Sequence, residues 1–305
     1  MGLHFLTLSQ RSKKVHLDLL WYKKRIYSPK INTQAGKSDF LIMKDISGTQ
    51  KSGRRRRITG DTFKFGCHSG VACFTRCCKD ADMYLYPYDV IRMKNRLGIS
   101  SDKLLERHTF QAIRDNPYFP NFMLKMSDDD ERSCLFLSTS GCTIYEDRPF
   151  SCRAYPMERA VARTDDEDGR TELYFVAEDS YCLGHKESHE WTADAWIEDQ
   201  QIQLFNDMND LWVAIDTLFR GNPWGPEGLD SPGLKMAFMA CFNGDEFKKF
   251  IFESTFLSRF DIPRETADRL KESDVELMTF GFDWVRFFLT GTGPLRVTPS
   301  KNNPL

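Results

Sequence analysis

No apolar run in this 305-residue chain approaches the roughly 18–20 residues that a membrane-spanning helix needs. Nor does the start read as a secretory signal. Leu3, Phe5, Leu6 and Leu8 are interrupted by His4, Thr7 and Ser9, with no basic stretch ahead of them. The expected compartment is therefore the cytoplasm, a reducing environment where structural disulfides are rare. No glycine-rich loop for a phosphate or a methyl donor follows a strand, and no Ser/His/Asp arrangement can be assigned. His185 and His189 stand four apart, but position 186 is Lys, so the H-E-x-x-H zinc motif is missing. Asp128–Glu131 lack the spaced ligands and distal Glu of a calcium loop and read as a solvated acidic turn.

What the chain does have is cysteine: nine in all. Cys67, Cys73, Cys77 and Cys78 fall within twelve residues, Cys134, Cys142, Cys152 and Cys182 follow, and Cys241 stands apart. Without disulfide staples to make, such a gathering points to metal or redox chemistry. Thiolate rather than thiol is the metal ligand. Several thiolates held together repel one another unless a cation sits among them. Four thiolates around one zinc, or around a cubane iron–sulfur cluster, leave a formal charge of about −2. Arg76, Arg148 and Arg153 are next to thiols in sequence and can offset it. His68, beside Cys67, is a weaker candidate ligand than Cys67 itself. Cys241, between Ala240 and Phe242, reads as a small buried hydrophobe.

Several standard spacings are excluded. A radical-SAM site needs C-x3-C-x2-C, but here Cys73-x3-Cys77 is followed directly by Cys78. The two-cluster ferredoxin run and the paired C-x2-C zinc knuckles are absent as well. Neighbours such as Cys77 and Cys78 point apart in an extended chain. A turn would bring both to one polynuclear cluster, or each serves a different ion.

The order Cys67, Cys73-x3-Cys77-Cys78, Cys134-Leu-Phe-Leu, Gly141-Cys142-Thr-Ile-Tyr145, Arg148-Pro-Phe-Ser-Cys152-Arg-Ala-Tyr155-Pro156 resembles the YkgJ-type cysteine-cluster family. That family is described as a zinc- or iron-chelating domain with a C-x2-C-x2-C-C signature. The resemblance covers roughly residues 63–185, and the first half departs from the signature as C-x5-C-x3-C-C. It implies a metal centre, an iron–sulfur cluster or zinc, with Cys67, Cys73, Cys77, Cys78, Cys134, Cys142, Cys152 and Cys182 as the ligand pool. The vicinal pair tilts the expectation toward iron–sulfur. The resemblance reaches flagellin lysine methylases too, which carry a similar cysteine box. A structural centre would make this a binding or scaffold protein with a protein partner, whereas a redox centre or a methylase would make it an enzyme. Both readings stand at this point.

Charge divides the chain. Residues 1–60 hold 14 Lys+Arg and 3 Asp+Glu, a net of +11, whereas the rest nets −13. Residues 1–60 read as a poorly ordered basic leader, with a short helix over Val15–Arg25 and the run Arg54–Arg57, able to contact nucleic acid. Residues 61–190 form the cysteine-cluster domain. Within it, Tyr88–Leu97 is expected as a helix ended by Gly98, and a second follows Ser101. Phe122–Met126 and Glu172–Ala177 read as strands, and Cys134–Tyr145 as a hairpin. Asp147 and Pro149 open a short helix carrying Cys152 and Arg153, and Thr164–Arg170 is an acidic loop. Residues 191–290 are helical, starting with a cap at Thr192 and an apolar stripe from Trp196 to Phe219. Further helices are expected near Leu234–Phe242, Asp245–Phe260 and Ala267–Leu289, and 291–305 is tail-like. The fold class is α+β: a small metal-stapled domain of short strands and helices, then a mainly α-helical part.

Overall fold

The computed structural model describes residues 54–113, 115–162 and 171–298. The expectations for residues 1–53 and for the acidic loop Thr164–Arg170 lie outside them. The fold class is α+β, with short strands in small sheets and a mostly helical C-terminal half. The described chain divides into two units, and the boundary falls inside one helix, between Ala214 and Ile215. No described helix is long and apolar enough to cross a membrane.

The first unit holds all eight clustered cysteines. Its largest sheet runs β1 (Arg54–Ile58), β9 (Thr171–Glu178), β8 (Met157–Ala162), antiparallel throughout. Here the structure departs from the reading of Arg54–Arg57 as part of a leader. The run is an edge strand in register with β9, with Arg54 opposite Glu178 and Arg57 opposite Phe175. Arg55 pairs with Glu158 at 2.9 Å and Asp179 at 3.3 Å, and Arg56 with Glu178 at 3.0 Å. Acidic residues of the sheet thus compensate arginines that composition alone leaves for an anionic partner. Exposed pairs of this kind contribute about 0–1 kcal/mol each, so the ladder, not the charge, holds the strand.

The other sheets are small: β10 (Glu190–Trp191) with β2 (Phe63–Lys64), β3 (Tyr84–Leu85) with β5 (Asn121–Leu124) and β4 (Thr109–Ala112), and β6 (Leu137–Ser138) with β7 (Gly141–Cys142). Helix α1 (Pro87–Leu97) starts on a proline and ends at Gly98, whose φ of 62° is the left-handed cap that glycine accepts without strain. Helix α2 spans Ser101–His108, and α3, Phe150–Ala154, carries Cys152 and starts after Pro149 as its cap. A hydrophobic cluster that includes Phe63, Phe65, Met157, Val176, Trp196 and Ile202 lies in this unit, and Cys182 packs against it.

The apolar stripe from Trp196 to Phe219 is two helices rather than one. Helix α4 (Ala193–Asp199) is capped by Thr192, whose hydroxyl accepts from the Ala195 N–H at 3.1 Å. The chain breaks at Gln200-Gln201, where Gln201 has φ 52°, and resumes as α5 (Ile202–Phe219).

The second unit comprises Pro117–Phe119 and residues 215–298. Helices α6 (Pro232–Phe242), α7 (Gly244–Glu253), α8 (Phe256–Arg259), α9 (Arg264–Glu272) and α10 (Asp274–Thr290) follow one another through short caps. Their core is aromatic: Phe247 is wholly buried, with Phe250, Phe256, Phe280 and Trp284 around it at ring separations of 5.7–6.5 Å. Phe119 stacks on Phe219 at 4.4 Å. The segment read as a tail is tied in as far as Thr298, whose N–H donates to the Arg259 carbonyl at 2.8 Å.

Candidate metal centre

Cys67 follows β2, which the buried Phe63 and Phe65 anchor. The next residue pair fixes its neighbour in space: the Gly66 N–H donates to the Gly184 carbonyl at 3.0 Å. A side chain at Gly184 would place its Cβ 2.6 Å from the Gly66 carbonyl oxygen and 2.9 Å from the Phe65 ring, so only glycine permits this approach. From Cys67 the chain winds through consecutive tight turns, Val71 N–H to His68 O, Phe74 to Val71, Arg76 to Cys73 and Cys78 to Thr75, all at 2.8–3.0 Å. Thr75 sits at φ 66°, a conformation that β-branched residues rarely adopt. It opens a 3-10 turn over Arg76–Cys78, and that turn answers the question of the vicinal pair. The Cys77 and Cys78 thiols hydrogen-bond to each other instead of pointing apart.

The remaining thiols arrive from four separate places. The Cys134 N–H donates to the Cys78 carbonyl at 2.7 Å. The hairpin β6–β7 pairs Leu137 with Cys142, while the Leu137 N–H donates to the Cys134 carbonyl, so Cys134 and Cys142 come to one end of the ribbon. Cys152 on α3 lies 3.6 Å from the Met83 thioether, just ahead of β3. Cys182 ends a turn after β9, and the next N–H, that of Leu183, donates to the Cys73 sulfur at 3.1 Å. Cys67, Cys77 and Cys152 are exposed and the other five partly buried. Cys241 is 4% exposed and lies in the helical unit, the core position its neighbours predict.

Burial and mutual proximity shift the thiols away from their ordinary pKa values. Surrounding protein atoms, then the thiols of Cys77, Cys182 and Cys73, push the Cys67 thiol up to about 11, with Arg148 opposing. Desolvation likewise raises Cys134 and Cys142, the latter again against Arg148. Cys78, which donates to Cys77, is driven well above its ordinary range, and Cys77, which accepts, falls to about 7. Cys67, Cys78, Cys134, Cys142 and Cys152 are thereby held protonated at neutral pH.

Arg148 and Arg153 are structural parts of this arrangement. They are 7% and 3% exposed, so a surface-solubility role is excluded. Arg148 donates to the Tyr145 carbonyl and the Gln200 side-chain oxygen, and its guanidinium lies 3.8 Å over the Tyr145 ring. Arg153 donates to the Gln200 and Glu146 carbonyls. The break in the helical stripe at Gln200 is thus what frees acceptors for both arginines. Asp89 braces the same region. Its carboxylate accepts from the Tyr86 N–H at 2.9 Å and the Phe150 N–H at 2.8 Å, although complete burial pushes its pKa up to about 7. Sequence reading did not single out Asp89, Gln200, Gly184 or Met83. Only Asp89 left a signal, an acidic residue at the third position of a helix that opens on Pro87.

The histidines are not drawn into the set. His185 meets the Ala177 carbonyl at 3.0 Å and packs tilted against the Phe65 ring, His189 packs tilted against Trp191, and His68 faces Glu187 at 3.4 Å. His185 belongs to a 3-10 turn, Gly184–Lys186, that ends before His189, so their spacing of four is not a helical one. Among the described residues no three Cys, His, Asp or Glu side chains stand close enough together to grip an ion as they are.

Residues 66–183 match a family model, CxxCxxCC, described as a "putative zinc- or iron-chelating domain". The resemblance seen in Cys67 through Pro156 is borne out, and the match ends just after Cys182. No curated protein and no solved structure matches the chain. The side chains present fit the group that the family description names. Zinc and iron–sulfur centres both take cysteine thiolates, four to a centre, and eight thiols with one buried arginine acting on two of them supply that chemistry.

Proposed function

We propose that residues 66–183 chelate zinc or iron through the thiols of Cys67, Cys73, Cys77, Cys78, Cys134, Cys142, Cys152 and Cys182, and that the metal completes the fold of the domain. The backbone supports this reading: hydrogen bonds tie the segments carrying Cys67, Cys73 and Cys182 to one another, and Cys78 to Cys134 and the hairpin of Cys142. The segments that carry Cys77, Cys78 and Cys142 are short, a 3-10 turn and two-residue strands. Such a framework gains little from its own ladders, whereas a structural zinc site contributes about 10–16 kcal/mol of apparent binding energy. Metal supplied to this domain acts first as a staple. Arg148 and Arg153, held from behind by Gln200, offset the negative charge that the thiolates leave.

Purification without oxygen, followed by zinc, iron and acid-labile sulfide determination, tests the reading. Zinc or iron in stoichiometric amount is expected. Iron with equal sulfide and a visible charge-transfer band identifies an iron–sulfur centre, and colourless protein with zinc alone identifies a zinc centre. Protein that retains neither metal, and takes up neither on reconstitution, sinks the proposal.

A further inference from the structure

We propose, on the reading that this domain chelates zinc or iron, that Asp89 is a positioning residue for Cys152. Its carboxylate holds the short helix α3 in place, and with it the thiol that α3 presents.

The two oxygens of Asp89 grip two different parts of the chain. One accepts from the Tyr86 N–H at 2.9 Å, and the other from the Phe150 N–H at 2.8 Å, 61 positions away. Tyr86 stands three residues after Met83, and Phe150 stands two residues before Cys152. The sulfurs of Met83 and Cys152 are 3.6 Å apart. The side chains in contact there belong to the same two segments that the carboxylate joins. Helix α3 needs such a tie. It has five residues, follows Pro149 and receives no side-chain cap from that position, and so short a helix does not hold its shape alone. Arg153 anchors its far end to the Gln200 and Glu146 carbonyls, and the Phe150 ring meets Tyr86 edge-on at 6.0 Å. Asp89 supplies the bond at its start.

Residue type fits this double task. Capping α1 alone is within the range of serine or asparagine. A carboxylate offers an acceptor at both oxygens, whereas asparagine offers one acceptor and one donor. Two N–H groups converging on a side chain that is 1% exposed call for the carboxylate. Its charge has the opposite consequence. Burial raises the Cys152 thiol, and Asp89 is among the negative neighbours that add to the rise. Neutralising Asp89 would favour the Cys152 thiolate through charge and release α3 through geometry. The two roles therefore predict changes of opposite sign.

Cobalt(II), whose sulfur-to-metal charge-transfer band grows with each bound thiolate, reads the sign on the full chain prepared without oxygen. Asp89→Asn should weaken cobalt retention against a competing chelator about tenfold or more, the factor that one hydrogen bond to a charged group is worth. Its band at saturation should fall to that of Cys152→Ser. Asp89→Ser, too short to span both N–H groups, repeats the reading with a second replacement. Retention equal to wild type, or stronger as neutralisation alone would give, overturns the proposal. Leu104→Ala separates positioning from general loss of stability, because it empties a wholly buried site on α2. It should lower the unfolding midpoint at least as far as Asp89→Asn and leave the band unchanged. Equal loss of the band in both variants would mean that Asp89 acts only through the stability of the fold. Adding Asp89→Asn to Cys152→Ser should weaken retention no further, and an additional loss would refute action through Cys152. Wild-type protein that binds no cobalt would defeat chelation itself, a result distinct from any difference among the variants.

Discussion

The two units of this protein keep their shape by different means. Residues 215–298 form helices whose inward faces are aromatic, and Phe247, Phe250, Phe256 and Trp284 bury one another almost completely. Residues 66–183 combine the helices α1 and α2, short strands and consecutive turns with eight thiols, none of them fully buried. Their buried apolar side chains, such as Met93, Leu104 and Phe122, are accompanied by the cluster around Phe65 and Trp196, against which Cys182 packs. Burial stabilises at about 25 cal/mol per Å² of apolar surface, so the helical unit carries its stability in its own side chains. On the reading proposed above, the cysteine segment draws further stability from a bound metal, and the helical unit does not.

Metal removal is the strongest way to break that contrast. A whole domain is stable by about 5–15 kcal/mol, and loss of a structural centre removes a comparable amount. Chelation should therefore release amide protection across residues 66–183 while α6, α7 and α10 keep theirs, as measured by hydrogen exchange with peptide resolution. Equal loss of protection in both units would mean that the helices depend on the centre as well. The reverse experiment is Phe247→Ala. It removes a wholly buried ring and should cost about 3–5 kcal/mol in denaturant unfolding of the helical unit, with metal content unchanged. A variant that loses metal in proportion would join what the comparison separates.

How far the sequence foretold each region follows the same line. The helix Pro87–Leu97 and its stop at Gly98, the cap at Thr192 and the core position of Cys241 are local matters. Periodicity and single residues announce them. The strand Arg54–Ile58 was not legible because its partner lies some 120 residues on, and four arginines look like a solvated run until Glu158, Asp179 and Glu178 are seen opposite. The break at Gln200-Gln201 was hidden by an apolar stripe that runs through it unaltered. The turn that joins the Cys77 and Cys78 thiols rests on Thr75 at φ 66°, which no propensity announces. The candidate thiols were readable from residue type, whereas which of their segments lie together depended on backbone bonds across as many as 118 positions, Gly66 to Gly184.

A pair of glycines sharpens the comparison at smaller scale. Gly184→Ala would drive a methyl into the Gly66 carbonyl and the Phe65 ring, and Gly281→Ala would drive one into the Ala240 carbonyl where α10 packs on α6. Overpacking of this sort costs about 1–3 kcal/mol, and the two variants should lose similar stability. Only Gly184→Ala should weaken metal retention, because it separates the strand end bearing Cys67 from the turn bearing Cys182. Competition against a graded series of chelators reads the difference. Equal retention by both variants would show that this backbone approach does not position the thiols.

The smallest effect separates thiol chemistry from thiol packing. Cys241 is buried among the apolar residues of α6 and its burial drives its pKa well above the ordinary value, so it acts as a hydrophobe of modest size. Cys241→Ala removes one sulfur from a tight core and should cost about 1 kcal/mol, the scale of a single buried methyl-sized deletion. Metal and sulfide content should be identical to wild type, as should the number of thiols that resist alkylation in the loaded protein once Cys241 itself is discounted. A fall in metal content on this substitution would place the ninth cysteine in the centre and defeat the assignment of chelation to residues 66–183 alone. Matching metal with a lower midpoint of unfolding in the helical unit would leave each kind of cysteine doing what its surroundings dictate.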